Sequence, residues 1–498
     1  PVTNIDIVST SYSDGCNGDY NAGAESADRQ IRELKNVMRI FSAGNNGTSN
    51  CSYGAGAGWG NITGGIKIAK NLLCVANLTY TDLVAASSSR GPTSDGRLKP
   101  DVSGVGTDVY STIDTNKYEL KTGTSMSCPG VAGVFTQLYQ AYRELHAGQD
   151  PNTGLLRGIL MNTCDDAGNP GPDFKYGYGR INGLRAVKVL ENNQYIHDSV
   201  AQGITKTATI TVPPNTQRVK IMLHWLDREA AVSATTVLVN DLDMIVTDPA
   251  VNSYLPWVLN SAPNATTLDA NATRATDHLN NAEQVTIDNP VAGTYTIAID
   301  GFSVPFGPQE YYLSYEVIAN DALEVVYPIG GEGFVPGEIQ TIRWDAIDNG
   351  ATFDIDYTTD NGSSWTTVFT GIASFLRHYN WTIPNTISGR CRLRITRNGL
   401  SKQSPAEFSI MQTPENLKID FVCPDTMQIS WAPDPNATHY QVFKLGNKFM
   451  DSIATTTDTF YQFVGLNIAD EHWFSAKAFN ASNQALSRRA FAVQQKPG

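Results

Sequence analysis

The run Thr122-Gly123-Thr124-Ser125-Met126-Ser127-Cys128-Pro129-Gly130-Val131-Ala132-Gly133 sets a serine just ahead of an apolar helical pattern. Val131, Val134, Phe135, Leu138, Tyr142 and Leu145 recur at helical spacing and predict a helix over Pro129–Leu145. A serine before a helix ordinarily caps it through its hydroxyl. It is also well placed as a nucleophile, because the free N–H groups and the dipole of a helix start favour negative charge. The small residues around it, Gly123 and Thr124 among them, let a substrate backbone approach closely. Upstream, Phe41-Ser42-Ala43-Gly44-Asn45-Asn46-Gly47 ends a strand pattern in residues that suit a turn.

These residues need a frame to hold them. Strand patterns at Ile5–Ser9, Arg39–Ala43, Leu72–Asn77 and Asp108–Thr112 alternate with helical patterns at Ala24–Val37, Pro129–Leu145 and Thr153–Thr163. Strands alternating with helices imply a mainly parallel sheet with flanking helices, an α/β fold. After about residue 192 the pattern changes to short alternating runs broken by Pro, Gly and Asn, such as Lys206–Val212, Arg218–Leu223, Val237–Val246, Glu283–Ile287 and Thr294–Ile299. That pattern predicts all-β sandwich or jelly-roll domains. The expected division is 1–192, 193–320, 321–411 and 412–498.

Composition narrows the function classes. Lys and Arg total 36 against 49 Asp and Glu, a net charge of −13, which argues against nucleic acid as a partner. Charged residues are only 17% and Gly number 42, as in a folded, strand-rich chain and unlike a disordered one. No apolar run reaches the roughly 18 residues of a membrane span. The seven Cys leave at least one unpaired within the chain. Cys16 and Cys51 sit in Gly/Ser/Asn-rich loops and are the expected disulfide in an oxidising compartment.

Gly123–Gly133 resembles the nucleophile motif of the subtilisin-like serine proteases, the subtilases: Gly-Thr-Ser-Met-x-x-Pro-x-Val-Ala-Gly. The resemblance implies that Ser125 is the nucleophile. Ala43-Gly44-Asn45-Asn46-Gly47 is similar to the family's Ala-Gly-Asn-x-Gly, whose Asn amide donates to the oxyanion, and so assigns that role to Asn45 beside the Ser125 N–H. Ser11-Tyr12-Ser13 falls where the family has a substrate-binding strand, usually Ser-x-Gly, and position 13 departs from it. With Gly44, Gly123 and Thr124 these residues make up the implied substrate site. Ser87–Pro92, Lys99–Val102 and Tyr176–Asn182 extend the resemblance, in the family's order, to about residue 190.

The family's triad runs Asp, His, Ser along the chain. His146 is the one histidine that falls before about residue 190, and it lies about 30 Å from Ser125 along one helix at 1.5 Å per residue. It cannot serve as the base. Family spacing puts the His roughly 30 residues before Pro1 and the Asp further upstream. The expected protein is therefore the C-terminal portion of a secreted or cell-surface serine endopeptidase acting on protein or peptide substrates. Its expected partner is an N-terminal fragment carrying the Asp and His. The competing class is a catalytically incomplete binding or adhesion protein on a vestigial platform. An esterase is disfavoured because the Gly-x-Ser-x-Gly elbow is missing around Ser125.

Residues 193–320 look like the jelly roll that follows the catalytic domain in one subtilase branch, whose members often bind Ca²⁺ there. Asp227, Asp241, Asp243 and Asp277 are the expected oxygen ligands, and no organic cofactor is implied. Residues 321–411 resemble an immunoglobulin-like sandwich with Trp344, Tyr357, Trp365 and Trp381 at or near its core. Residues 412–498 resemble a fibronectin type III module with Trp431 and Tyr440 inside.

Overall fold

A computed structural model of the chain describes residues 5–12, 15, 16, 18–114 and 117–497. The chain divides into two compact units, Pro1–Ala319 and Asn320–Gly498.

In the first unit, β1 (Ile7–Thr10), β2 (Met38–Ser42), β3 (Leu73–Leu78) and β4 (Val102–Val105) form a parallel sheet in that order. Its two faces bury different residues. Met38, Ile40, Leu73 and Val75 pack with Phe135 and Leu138 of α2 (Thr124–Leu145), while Phe41 and Cys74 pack with Ala24 and Ile31 of α1 (Ala22–Glu33). Burial on both faces is why these strands read as nearly continuous apolar runs. The strand expected at Asp108–Thr112 forms at Val109–Ile113 (β5), but outside this sheet. It pairs antiparallel with Lys117–Lys121 (β6) as a hairpin leading into Gly123. The fourth sheet strand is β4, whose sequence Val-Ser-Gly-Val gave little apolar signal.

Helix α3 (Thr153–Thr163) keeps its expected bounds and is buried along its whole length. A helix buried on every side needs neighbours around its whole circumference, and its buried Arg157 is paired with Asp101 at 2.8 Å. Its neighbours include α4 (Gly183–Glu191), residues of the α/β layer such as Asp101, and the β sandwich that follows.

That sandwich pairs two four-stranded antiparallel sheets. Its strands are β7 (Tyr195–Val200), β8 (Thr205–Val212), β9 (Thr216–His224), β10 (Asp241–Thr247), β11 (Ser253–Tyr254), β14 (Ala282–Asp288), β15 (Gly293–Ser303) and β16 (Gln309–Ala319). A small ladder of β12 (Trp257–Val258) and β13 (Thr273–Arg274) lies between. The orders are β11-β10-β15-β8 and β14-β9-β16-β7, and Ile221, Trp225, Met244, Val285, Ile297 and Leu313 fill the space between the sheets. Asn162 of α3 donates to Lys220 O and Ser314 O at 3.3 Å each, and His224 Nδ1 bonds Gly154 O at 2.9 Å. The boundary expected at 192/193 is thus a change of texture inside one packed unit.

The second unit holds two sandwiches. Trp344, Phe353, Trp381 and Phe408 centre the first, and Trp431, Tyr440, Phe463 and Phe474 the second. Trp365 lies outside the first core, half-buried, with the Arg394 guanidinium 4.2 Å from its ring centre.

Candidate active site

Helix α2 starts at Thr124, five residues before the expected start, so Ser125 lies in its first turn with Gly123 as the preceding cap residue. Backbone N–H groups in a first turn have no intrahelical acceptor, which leaves the Ser125 N–H available to a developing oxyanion. Ser127 Oγ donates to Ala76 O at 2.7 Å and Gly104 O at 2.8 Å, pinning this turn across β3 and β4. Pro129 has no N–H to give the Ser125 carbonyl four residues earlier. Ser11 Oγ donates to that carbonyl at 3.4 Å, which brings the Ser11-Tyr12 segment to Ser125.

Asn45 stands at the end of β2, exposed beside this turn. Its Oδ1 accepts from Thr124 N at 3.0 Å and Thr124 Oγ1 at 3.1 Å. With the carbonyl end engaged, the amide nitrogen is the end left to donate. A Cβ on Gly123 would lie 3.4 Å from Asn45 Nδ2, so glycine leaves that donor uncrowded. Gly44 has φ +106°, a conformation L side chains rarely adopt, and a Cβ there would meet Ser89 Oγ at 3.0 Å. Tyr12 is half exposed and meets Phe41 edge-on at 5.1 Å. Ser13 lies outside the described residues.

The structure joins Cys16 and Cys51 in a disulfide, tying the segment after Tyr12 to the loop after Asn45. Among the described residues the four buried cysteines, Cys74, Cys128, Cys164 and Cys391, are thiols, as is exposed Cys423. Burial raises the Cys128 thiol three residues from Ser125, which makes it unreactive.

The histidines of this unit are engaged elsewhere. His146 Nε2 bonds Tyr195 Oη at 2.8 Å, His197 stacks on Tyr312, His224 Nδ1 is bonded to Gly154 O, and His278 Nδ1 bonds Asp241.

The four aspartates expected to share a cation do not converge. Asp227 is fully buried against Lys70 Nζ at 2.6 Å and accepts from Val239 N and Asn240 N. Asp277 folds its own turn, accepting from Leu279 N at 2.8 Å and Asn280 N at 3.1 Å. Asp241 and Asp243, alternate residues of β10, do meet, and the residue joining them is His278. Asp241 Oδ2 lies 2.8 Å and Asp243 Oδ1 3.7 Å from His278 Nδ1. Burial lifts Asp241 to about 6 against a smaller opposing pull from His278. Burial, then Asp277 and Asp243, raises Glu283 well above the carboxylate range. Neither His278 nor Glu283 was singled out from sequence as a ligand, although both stand in the Asp277–Glu283 run.

Residues 3–179 match the model of the subtilase family, Peptidase_S8. The chain is similar to C5a peptidase of Streptococcus pyogenes, 38% identical over 79 residues, which is 16% of this chain and 7% of that protein. It is 24% identical over 265 residues to the serine protease/ABC transporter B family protein tagA of Dictyostelium discoideum, across 45% of this chain and 15% of that one. The chain thus aligns with only a small share of either relative's length. The self-cleaved protease domain of PatA aligns with 38% of this chain and 62% of its own at a TM-score of 0.30 and 19% identity. FN3tt aligns along its whole length with 18% of this chain, at a TM-score of 0.16 and 17% identity.

Proposed function

We propose that this chain supplies the nucleophile and oxyanion hole of a subtilisin-like serine endopeptidase. The observation that carries the reading is the locked pair of Asn45 and Thr124 beside Ser125 in the first turn of α2. In the reaction, Ser125 Oγ attacks the scissile carbonyl and gives its proton to a histidine base. Asn45 Nδ2 and the Ser125 N–H donate to the oxyanion, whose collapse forms the acyl-serine and releases the amine after it takes that proton. Water then hydrolyses the acyl-serine through the same two donors.

The base and its orienting carboxylate come from sequence upstream of residue 1. What supports this is the sheet itself: among the described residues β1 pairs only with β2, which leaves its other edge free for a further strand. The Cys16–Cys51 bridge suits an oxidising compartment and so a secreted or cell-surface enzyme. The test is peptide hydrolysis by the polypeptide that includes its upstream sequence. Turnover should vanish in Ser125→Ala. Unchanged turnover in that variant would reject the reading.

A further inference from the structure

Asp241 and Asp243 on β10 and His278 in the loop before β14 each offer one ligand atom, and the three atoms lie within 4.8 Å of one another. We propose that these three residues bind one divalent cation of the zinc class, and not the calcium that an all-oxygen cage would select.

Three observations carry this. Asp241 is 7% exposed, yet its Oδ1 has no hydrogen-bond partner among the described residues, and neither has Asp243 Oδ1. Glu283, 1% exposed, likewise keeps Oε1 without a partner while its Oε2 accepts from Met244 N, the residue after Asp243. A buried carboxylate oxygen without a donor is costly, and several together call for a cation. The donor set also selects the metal. Calcium takes six to eight oxygens, and the structure withholds two of the expected four aspartates through Lys70 and the 277–280 turn. An imidazole nitrogen with two carboxylates suits zinc, whose open positions water fills. The His278 ring stacks on Phe302 at 4.5 Å, which fixes its plane, and its side chain is 44% exposed, which gives the ion a way in.

Bound there, the ion ties β10 to a loop that also grips the α/β layer. Asn280 Oδ1 accepts from Leu98 N at 2.8 Å, and Asn281 Nδ2 donates to Asn71 Oδ1 at 3.1 Å. Site occupancy therefore stiffens the seam between sandwich and sheet, and this role is independent of the peptidase reading.

The test uses metal-free full chain. Zn²⁺ followed by calorimetry should saturate one site and raise the melting temperature. Co²⁺ should give a d–d absorption that Zn²⁺ abolishes and millimolar Ca²⁺ does not. His278→Ala and Asp243→Asn should each weaken Zn²⁺ binding by about tenfold or more, while His197→Ala should leave it unchanged. Calcium stabilising the wild type more than zinc, no saturable zinc site, or full zinc affinity in His278→Ala would each overturn the proposal.

Discussion

Thr124 holds the side-chain carbonyl of Asn45 twice, through its N–H at 3.0 Å and its hydroxyl at 3.1 Å. The residue before Ser125 thus decides which end of the Asn45 amide is engaged. In the assembled enzyme Asn45→Ala should lower kcat by about 10²–10³. Thr124→Val keeps the shape and removes only the hydroxyl, so kcat should fall about tenfold with KM little changed. A larger effect on KM than on kcat would place Thr124 in substrate binding instead.

Lys70 and Asp227 form a fully buried ion pair at 2.6 Å, and Lys70 Nζ also donates to Arg228 O and Val237 O. Lys70→Met would strand the carboxylate in a dry site. The unfolding free energy should drop by about 3–5 kcal/mol in a denaturant titration. A loss below about 1 kcal/mol would mean that Asp227 finds another partner or water.

Asp165 lies between Arg180 Nη2 at 2.6 Å and Arg185 Nη1 at 2.8 Å, and Arg185 continues to Glu316 on β16. Burial alone would raise its pKa, but Arg180 and then Arg185 override that and hold it at about 2, below the ordinary 3.8. A carboxyl depressed in the folded state stabilises above its unfolded pKa and loses that contribution as pH falls. About 2 kcal/mol should therefore disappear between roughly pH 4 and pH 2 in the wild type. Asp165→Asn should lack that acid-side slope. Parallel stability curves for the two proteins would contradict the assignment.

The Cys16–Cys51 bridge closes a 35-residue separation that contains α1 and β2. Replacing both cysteines with serine should cost about 2–4 kcal/mol of unfolding free energy. Because both ends flank the proposed substrate site, KM for peptides should rise in the same variant. An unchanged KM would limit the bridge to stability.

Legibility from sequence followed the range of the interactions. Helix α3 and strands β1 to β3 were readable because burial on defined faces writes a local apolar pattern. Ser125 and Asn45 stand out because each sits in a contiguous run of small residues, and the structure brings those two runs together through Thr124 and Asn45. The start of α2 was not, since Thr124 to Cys128 carry no helical apolar period and their helical turn is set by tertiary bonds such as Ser127 to Ala76. Nor was the fate of Asp227, whose partner Lys70 is 157 residues away in sequence. His278 was passed over because a lone histidine carries no signal until β10 brings Asp241 and Asp243 to it.

The most direct test of the central claim is covalent capture. The chain, together with its upstream sequence, is treated with a fluorophosphonate and digested, and the modified peptide is identified by mass spectrometry. The account predicts a single adduct on Ser125, reduced in Asn45→Ala and missing in Ser125→Ala. No adduct, or an adduct on another serine, would contradict it and leave the α/β layer as a platform for binding.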